Sequence, residues 1–233
     1  MIRGLIFKFF FYTGTIVVCT IFIPALILPQ KISLIGGKIL GHWIKFCLYF
    51  FLSVKIKIKG IENIPENTPF FIASLHQSLF ETFFLQTIFN SPVFILKREL
   101  ILIPIFGWYL KKIGSISIKR NKVTKDNLSF FDDINKTLSN SKRPLIIFPQ
   151  GTRVKPEERP PFKKGVARIY EELKISCQPV AINSGYVWPK KGSKTSNKQI
   201  TISILPSIDY QMEKNEFVNN LEKKIYSELD RIN

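Results

Sequence analysis

A histidine and a carboxylate stand five positions apart in Ser74-Leu75-His76-Gln77-Ser78-Leu79-Phe80-Glu81, just past the apolar run Phe70-Phe71-Ile72-Ala73. About seventy residues later a second apolar run, Leu145-Ile146-Ile147-Phe148, leads into Pro149-Gln150-Gly151-Thr152-Arg153. The first pair has the makings of a general base and the group that orients it. The second has those of an anion corner, because backbone amides after a buried strand have few partners and a planar guanidinium grips phosphate oxygens in bidentate fashion. Together they suit the acylation of a phosphorylated alcohol.

Positions five apart on one helix point about 140° away from each other, so His76 and Glu81 meet only if His76 lies in the loop before the helix that carries Glu81. A strand, loop and helix in that order supply this geometry. Ser78-Leu79-Phe80-Glu81 also reads as a capping box, with the glutamate bonding a helix N-terminal amide. The chain holds two histidines, and the other, His42, belongs to an apolar N-terminal segment, so histidine chemistry falls to His76. Two histidines without clustered Cys or Asp argue against a metal site. Lys97 and Arg98, past a third apolar run, are either a solvated pair or further phosphate contacts. Cys177 has no histidine near it in sequence, which makes it a poor acyl-enzyme nucleophile.

The elements that must position these groups follow from charge and periodicity. The 233 residues carry a formal charge of +17, and the stretch from Met1 to Ile61 has eight Lys or Arg and no acidic residue. Such a segment is drawn to anionic surfaces. Phe9 to Gln30 is uncharged and apolar on every face, long enough for a bilayer's hydrocarbon core, and lacks a small-residue cleavage site. A second apolar stretch, Ile39 to Val54, follows the Gly36-Gly37 pair, which is expected to break the chain between them into a two-helix hairpin. Lysines flank both sides of the first segment, which leaves a spanning helix and a re-entrant anchor equally open. Three scattered cysteines form no disulfide framework and fit a reducing, cytoplasm-facing setting.

From Val54 the pattern is that of one α/β domain over residues 55–233, after an N-terminal anchor over 1–54. Lys55-Ile56-Lys57-Ile58-Lys59 alternates as a half-buried strand. Strand-like runs at 70–73, 93–96, 115–119, 145–148, 179–182 and 200–205 are separated by helical patterns, among them Leu128-Phe131-Ile134-Leu138 and Phe217-Leu221-Ile225-Leu229. Such alternation predicts a largely parallel or mixed sheet flanked by helices, with ligands at the C-terminal strand ends. His76, Lys97, Arg98, Arg120 and Gln150 to Arg153 all follow strand ends, so one crevice collects them. Trp188 to Gln199, with four lysines, reads as an exposed loop. The aromatics concentrate in apolar segments instead of interleaving with basic residues, which speaks against a nucleic-acid partner.

Taken in order, His76-x-x-x-x-Glu81, Lys97-Arg98-Glu99-Leu100 with Ile103-Pro104-Ile105-Phe106-Gly107-Trp108, Gly114 to Arg120, Phe148 to Arg153 and Pro179-Val180-Ala181-Ile182 resemble the ordered motifs of the 1-acyl-glycerol-3-phosphate acyltransferases. The likeness runs over about residues 1 to 210. It implies the glycerolipid acyltransferase fold with an N-terminal two-helix membrane anchor, and transfer of an acyl chain from acyl-CoA or an acidic acyl-carrier protein to the 2-hydroxyl of lysophosphatidic acid, giving phosphatidic acid. By the resemblance His76 is the base and Glu81 its partner. Lys97, Arg98, Gln150, Gly151, Thr152 and Arg153 form the substrate-binding set, facing the acceptor phosphate. No cofactor is implied beyond the acyl donor as co-substrate. The setting it implies is a membrane, that of a bacterial inner membrane, with the active site on the cytoplasmic side. The alternative acceptor is another lysolipid, such as lyso-ornithine lipid or a different lysophospholipid. The family usually has aspartate where Glu81 stands and glutamate where Gln150 stands.

Overall fold

A computed structural model describes residues 2–118, 130–139, 141–192, 194–196 and 198–233. Lys119, Arg120 and Leu128, assigned above to a strand end and a helix, lie outside the described residues.

Helix α1 (Ile2–Ile21) ends where Pro24 and Pro29 interrupt the chain; a short 3-10 turn (Ile23–Leu26) follows, and α2 runs from Gln30 to Leu52. Proline has no amide to donate and fixes φ, so the break belongs there. The expected break at Gly36-Gly37 is therefore corrected, since both glycines lie inside α2. Their lack of a side chain serves packing instead. A Cβ on Gly36 would come within 2.9 Å of the Phe22 ring, one on Gly37 would strike the Gln86 amide, and one on Gly41 would come within 2.8 Å of the Phe83 carbonyl.

The two N-terminal helices differ in character. α1 alone among the described helices is long and apolar enough to cross a membrane, and 11% of its apolar window is buried. Ile2, Leu5, Phe9, Ile16 and Val17 are exposed, while Phe7 and Phe11 turn inward. α2 buries Ile44, Cys47, Leu48 and Leu52 in the same core as the sheet. Position 54 thus marks where the strands begin, and the core continues across it.

Among the described residues seven strands follow: β1 (Lys55–Lys59), β2 (Phe70–Ser74), β3 (Val93–Lys97), β4 (Ile116–Ile118), β5 (Leu145–Ile147), β6 (Ser176–Ile182) and β7 (Gln199–Ile204). They form one sheet in the order β1-β7-β6-β2-β5-β3-β4, parallel throughout except for the antiparallel β6–β7 pair. Between them lie α3 (Phe80–Ile88), α4 (Arg98–Ile101), α5 (Phe106–Lys112), α6 (Phe130–Ser139) and α7 (Gly165–Leu173), and α8 (Lys214–Ile232) closes the chain. Among the described residues the lysine-studded β1 pairs only with β7, a placement in which charged side chains discourage further strand addition. Central β2 pairs with β5 through Phe71–Leu145 and Ala73–Ile147, and β5 pairs with β3 through Phe94–Ile146. This register brings the C-terminal ends of β2, β5 and β3 side by side, and with them the loops holding His76, Gln150 to Arg153 and Lys97.

Candidate active site

His76 sits two residues past β2 and four before α3, in the loop that the chemistry requires. Its backbone is pinned on both sides: the amide donates to Gln150 Oε1 at 2.8 Å, and the carbonyl accepts from the Val154 amide at 3.0 Å. The imidazole stacks on the Phe148 ring, with centroids 4.2 Å apart and planes 18° from parallel. Backbone and ring are therefore fixed by the strand end that follows β5.

Glu81 lies in the first turn of α3, fully buried, and every lone-pair direction of its carboxylate finds a donor. Oε1 accepts from His76 Nδ1 at 3.0 Å, from the Gln77 amide at 2.6 Å and from the Ser78 amide at 2.7 Å; Oε2 accepts from Ser78 Oγ at 3.1 Å and from Ser184 Oγ at 2.8 Å. Glu81 therefore both ties down the loop amides before the helix and holds the imidazole. The Ser78 hydroxyl meanwhile accepts the Phe80 amide at 2.8 Å.

Burial pushes the Glu81 carboxyl up, but the hydrogen bond and charge of His76, the Ser78 amide and the Ser184 hydroxyl outweigh it and hold the carboxyl below its usual range. An ionised carboxylate only accepts, so Nδ1 carries the proton toward Glu81. The opposite ring nitrogen, Nε2, is left as a lone-pair base with no protein partner among the described residues.

His76 borders a cavity of 440 Å³, a size suited to a lipid-like ligand. Its walls are apolar and come from α1, the following turn, α2, α3, β3 and α5: Val18, Phe22, Leu40, Phe83, Leu96 and Leu110 among them. Lys97, Arg153 and Lys190 supply its charged lining, and Thr152 lies beside Arg153 in it.

The substrate-binding set divides. Lys97, Thr152 and Arg153 reach the cavity together with His76. Arg98 is exposed and outside its lining. Gln150 is buried and turned toward the His76 loop, with Nε2 donating to Tyr226 Oη at 3.4 Å. Gly151 adopts φ +73°, and its amide donates to the Phe148 carbonyl at 2.9 Å, closing a turn. Glycine is the residue that enters this region at no steric cost.

Cys177 is fully buried within β6, and burial pushes its thiol well up, which removes it as a nucleophile. Sequence reasoning missed Ser184, Phe148 as a ring platform, and Lys190, whose Nζ lies 3.4 Å from Thr152 Oγ1. Ser184 and Lys190 follow Pro179–Ile182, so position past a strand end was the one available signal.

The family model described as Acyltransferase matches residues 55–183. The 1-acyl-sn-glycerol-3-phosphate acyltransferase of Pseudomonas aeruginosa is 31% identical over 73% of this chain and 66% of its own length. The enzyme of that name from Saccharomyces cerevisiae is 33% identical over 69% of this chain and 55% of its own. The chain thus spans between about half and two thirds of these relatives. The crystal structure of the 1-acyl-sn-glycerophosphate acyltransferase PlsC from Thermotoga maritima superposes with a TM-score of 0.81 at 22% identity, covering 99% of this chain and 96% of that one. That likeness establishes the fold.

Proposed function

The chain belongs to the acyltransferase family, and from that premise we propose that it acylates the 2-hydroxyl of lysophosphatidic acid to give phosphatidic acid. The observation that carries this reading is the His76–Glu81 pair, held at 3.0 Å, with His76 on the wall of a largely apolar cavity that Lys97 and Arg153 also line. The relatives' names point to the same acceptor.

In this reading the acceptor's phosphate rests against Arg153, Thr152 and Lys97, while the acyl chain occupies the apolar cavity. His76 Nε2 takes the proton of the 2-hydroxyl as its oxygen attacks the thioester carbonyl of the donor. The tetrahedral adduct collapses, the carbon–sulfur bond breaks, and the imidazolium returns its proton to the departing thiolate. Glu81 keeps its charge throughout, fixing the tautomer and stabilising the imidazolium. Gly151 acts through the shape of its turn, and Gln150 by pinning His76. The reaction written this way calls for no cofactor. The donor is acyl-CoA or an acyl-carrier protein, both anionic and both attracted by a chain of net charge +17.

The same proposal sets the protein at a membrane. One face of α1 is taken up by the protein, through Phe7 and Phe11, and the other presents exposed apolar side chains. That division suits a helix lying within one leaflet, with the site opening to the cytoplasm. Acylation of lysophosphatidic acid, compared with that of a lysolipid lacking a phosphate monoester, tests the acceptor. Preference for the monoester that disappears in Arg153→Ala is expected; equal use of both acceptors by the unaltered protein overturns the reading.

A further inference from the structure

The stretch after Trp188 has the composition of a solvated loop, yet it is seated at several points. At its root, Ser184 Oγ donates to Glu81 and the Gly185 amide donates to Gln77 Oε1 at 3.0 Å. The Thr195 amide donates to the Val187 carbonyl at 2.9 Å and closes the stretch into an arm. Trp188, 5% exposed, stands edge-on to two buried side chains of α1, Phe7 at 5.0 Å and Phe11 at 5.1 Å. Edge-to-face pairs of this kind fix ring orientation as well as burying area.

From that footing the arm carries two lysines. Lys190 Nζ reaches Thr152 Oγ1 and joins Arg153 in the cavity wall. Lys194 holds its ammonium 5.4 Å from the Trp188 ring centroid, with its stem beside α1, where a Cβ on Gly4 would lie 3.7 Å from Lys194 Cβ. Lys8 of α1 adds a further charge. Among the described residues none of Lys8, Arg153, Lys190 and Lys194 pairs with a carboxylate.

We propose that this arm, seated on the N-terminal helix through Trp188, brings Lys190 beside Arg153 to bind the acceptor's phosphate, with Lys194 adding its charge from the Trp188 ring, so that α1 supports the acceptor site as well as making a membrane contact. The inference rests on the reading of the acceptor as a phosphate monoester. Unpaired like charges held together are unfavourable until an anion enters among them. In keeping with this, burial and the charges of Lys8 and Arg153 pull the Lys194 ammonium down to about 8. A dianionic phosphate repays that cost, and the Lys190 ammonium beside the Arg153 guanidinium supplies donors to its terminal oxygens.

The test is steady-state kinetics of the full chain in detergent micelles, with KM measured for lysophosphatidic acid and for the thioester donor in Lys190→Gln, Lys194→Gln, Lys8→Gln and Arg153→Ala. Lys190→Gln and Lys194→Gln should each raise the acceptor KM on the order of tenfold, and Lys8→Gln about threefold, with kcat and donor KM unchanged. Trp188→Leu should reproduce the Lys194→Gln effect, and Trp188→Phe, which keeps an aromatic edge for Phe7 and Phe11, should largely restore it. If Arg153→Ala raises the acceptor KM while the lysine variants match the unaltered protein, the arm is not part of the site and the phosphate reading stands. If the lysine variants raise the donor KM instead, the arm serves the donor and the inference falls. If Arg153→Ala also leaves the acceptor KM unchanged, the reading of the acceptor fails and the inference with it.

Discussion

Replacing Glu81 by glutamine separates the two tasks that this one side chain performs. The amide oxygen can keep the three N–H donors that Oε1 now accepts, from His76, Gln77 and Ser78. The amide nitrogen would face the Ser78 and Ser184 hydroxyls, which can rotate to accept. Shape, cap and tautomer therefore survive, and what is lost is the negative charge opposite the imidazolium. At the 3.0 Å Nδ1–Oε1 separation, a full charge pair at an effective dielectric of ~20 is worth about 5 kcal/mol. The glutamine dipole retains part of it, so the expected loss is about 3 kcal/mol, or roughly a hundredfold in kcat. The assay is kcat for acyl transfer beside thermal unfolding of the same preparation, with Tm expected to move by no more than about 3 °C. A kcat within threefold of the unaltered protein, or a Tm loss large enough to account for the lost activity, would refute the reasoning and leave Glu81 as a helix cap alone.

Three further outcomes follow from packing and charge. Because Glu81 titrates below its unfolded value of 4.5, its ionised form adds stability above that pH, and the contribution is lost as pH falls through the lower folded value. The unaltered protein should therefore lose stability toward acid more steeply than Glu81→Gln, as read from urea midpoints between about pH 6 and 3; parallel profiles would contradict this. Gly41→Ala sets a methyl within 2.8 Å of the Phe83 carbonyl and should cost about 1–3 kcal/mol, measured by denaturant unfolding, by forcing α2 away from α3; a neutral result would mean the helices part freely. Deleting residues 1–54 strips Phe7, Phe11, Ile44, Leu48 and Leu52 from the common core, so the remainder should aggregate or unfold far more easily; a soluble fragment with the Tm of the full chain would show the core to be independent.

Much of the site was legible because it rests on local order. Apolar runs ending in His76, Lys97 and Gln150 to Arg153, alternating with helical periodicity, suffice to place these groups at the C-terminal ends of parallel strands. His76 and Glu81 were legible as a pair because a loop before a helix is the one arrangement that lets them meet. The two readings of Glu81 competed in sequence; in the structure one carboxylate takes both the imidazole and the Ser78 amide, although the N-cap of the helix itself falls one residue later, at Leu79.

The rest depends on contacts with no local signal. Gln150 reaches back 74 residues to the His76 amide, and Ser184 reaches Glu81 across 103, distances over which spacing and periodicity say nothing. Lys190 and Lys194 carry the composition of solvated residues, yet Lys190 reaches Thr152 and Lys194 lies over the ring of Trp188, which itself packs on α1. Gly36-Gly37 misled for a physical reason. Glycine both breaks helices and lets them approach closely, and here the neighbouring Phe22 and Gln86 side chains decide for the second.

The central claim is that His76 is the base that activates the acceptor hydroxyl. It is tested most directly by following phosphatidic acid formed from labelled lysophosphatidic acid and an acyl thioester, with the unaltered protein and with His76→Ala. Loss of the base should lower kcat by about 10²–10⁴-fold while the acceptor KM stays close to its original value. The Tm should fall, because the buried Glu81 loses a partner and Phe148 its stacked ring, with the protein still folded at the assay temperature. Turnover by His76→Ala at the rate of the unaltered protein would contradict the account.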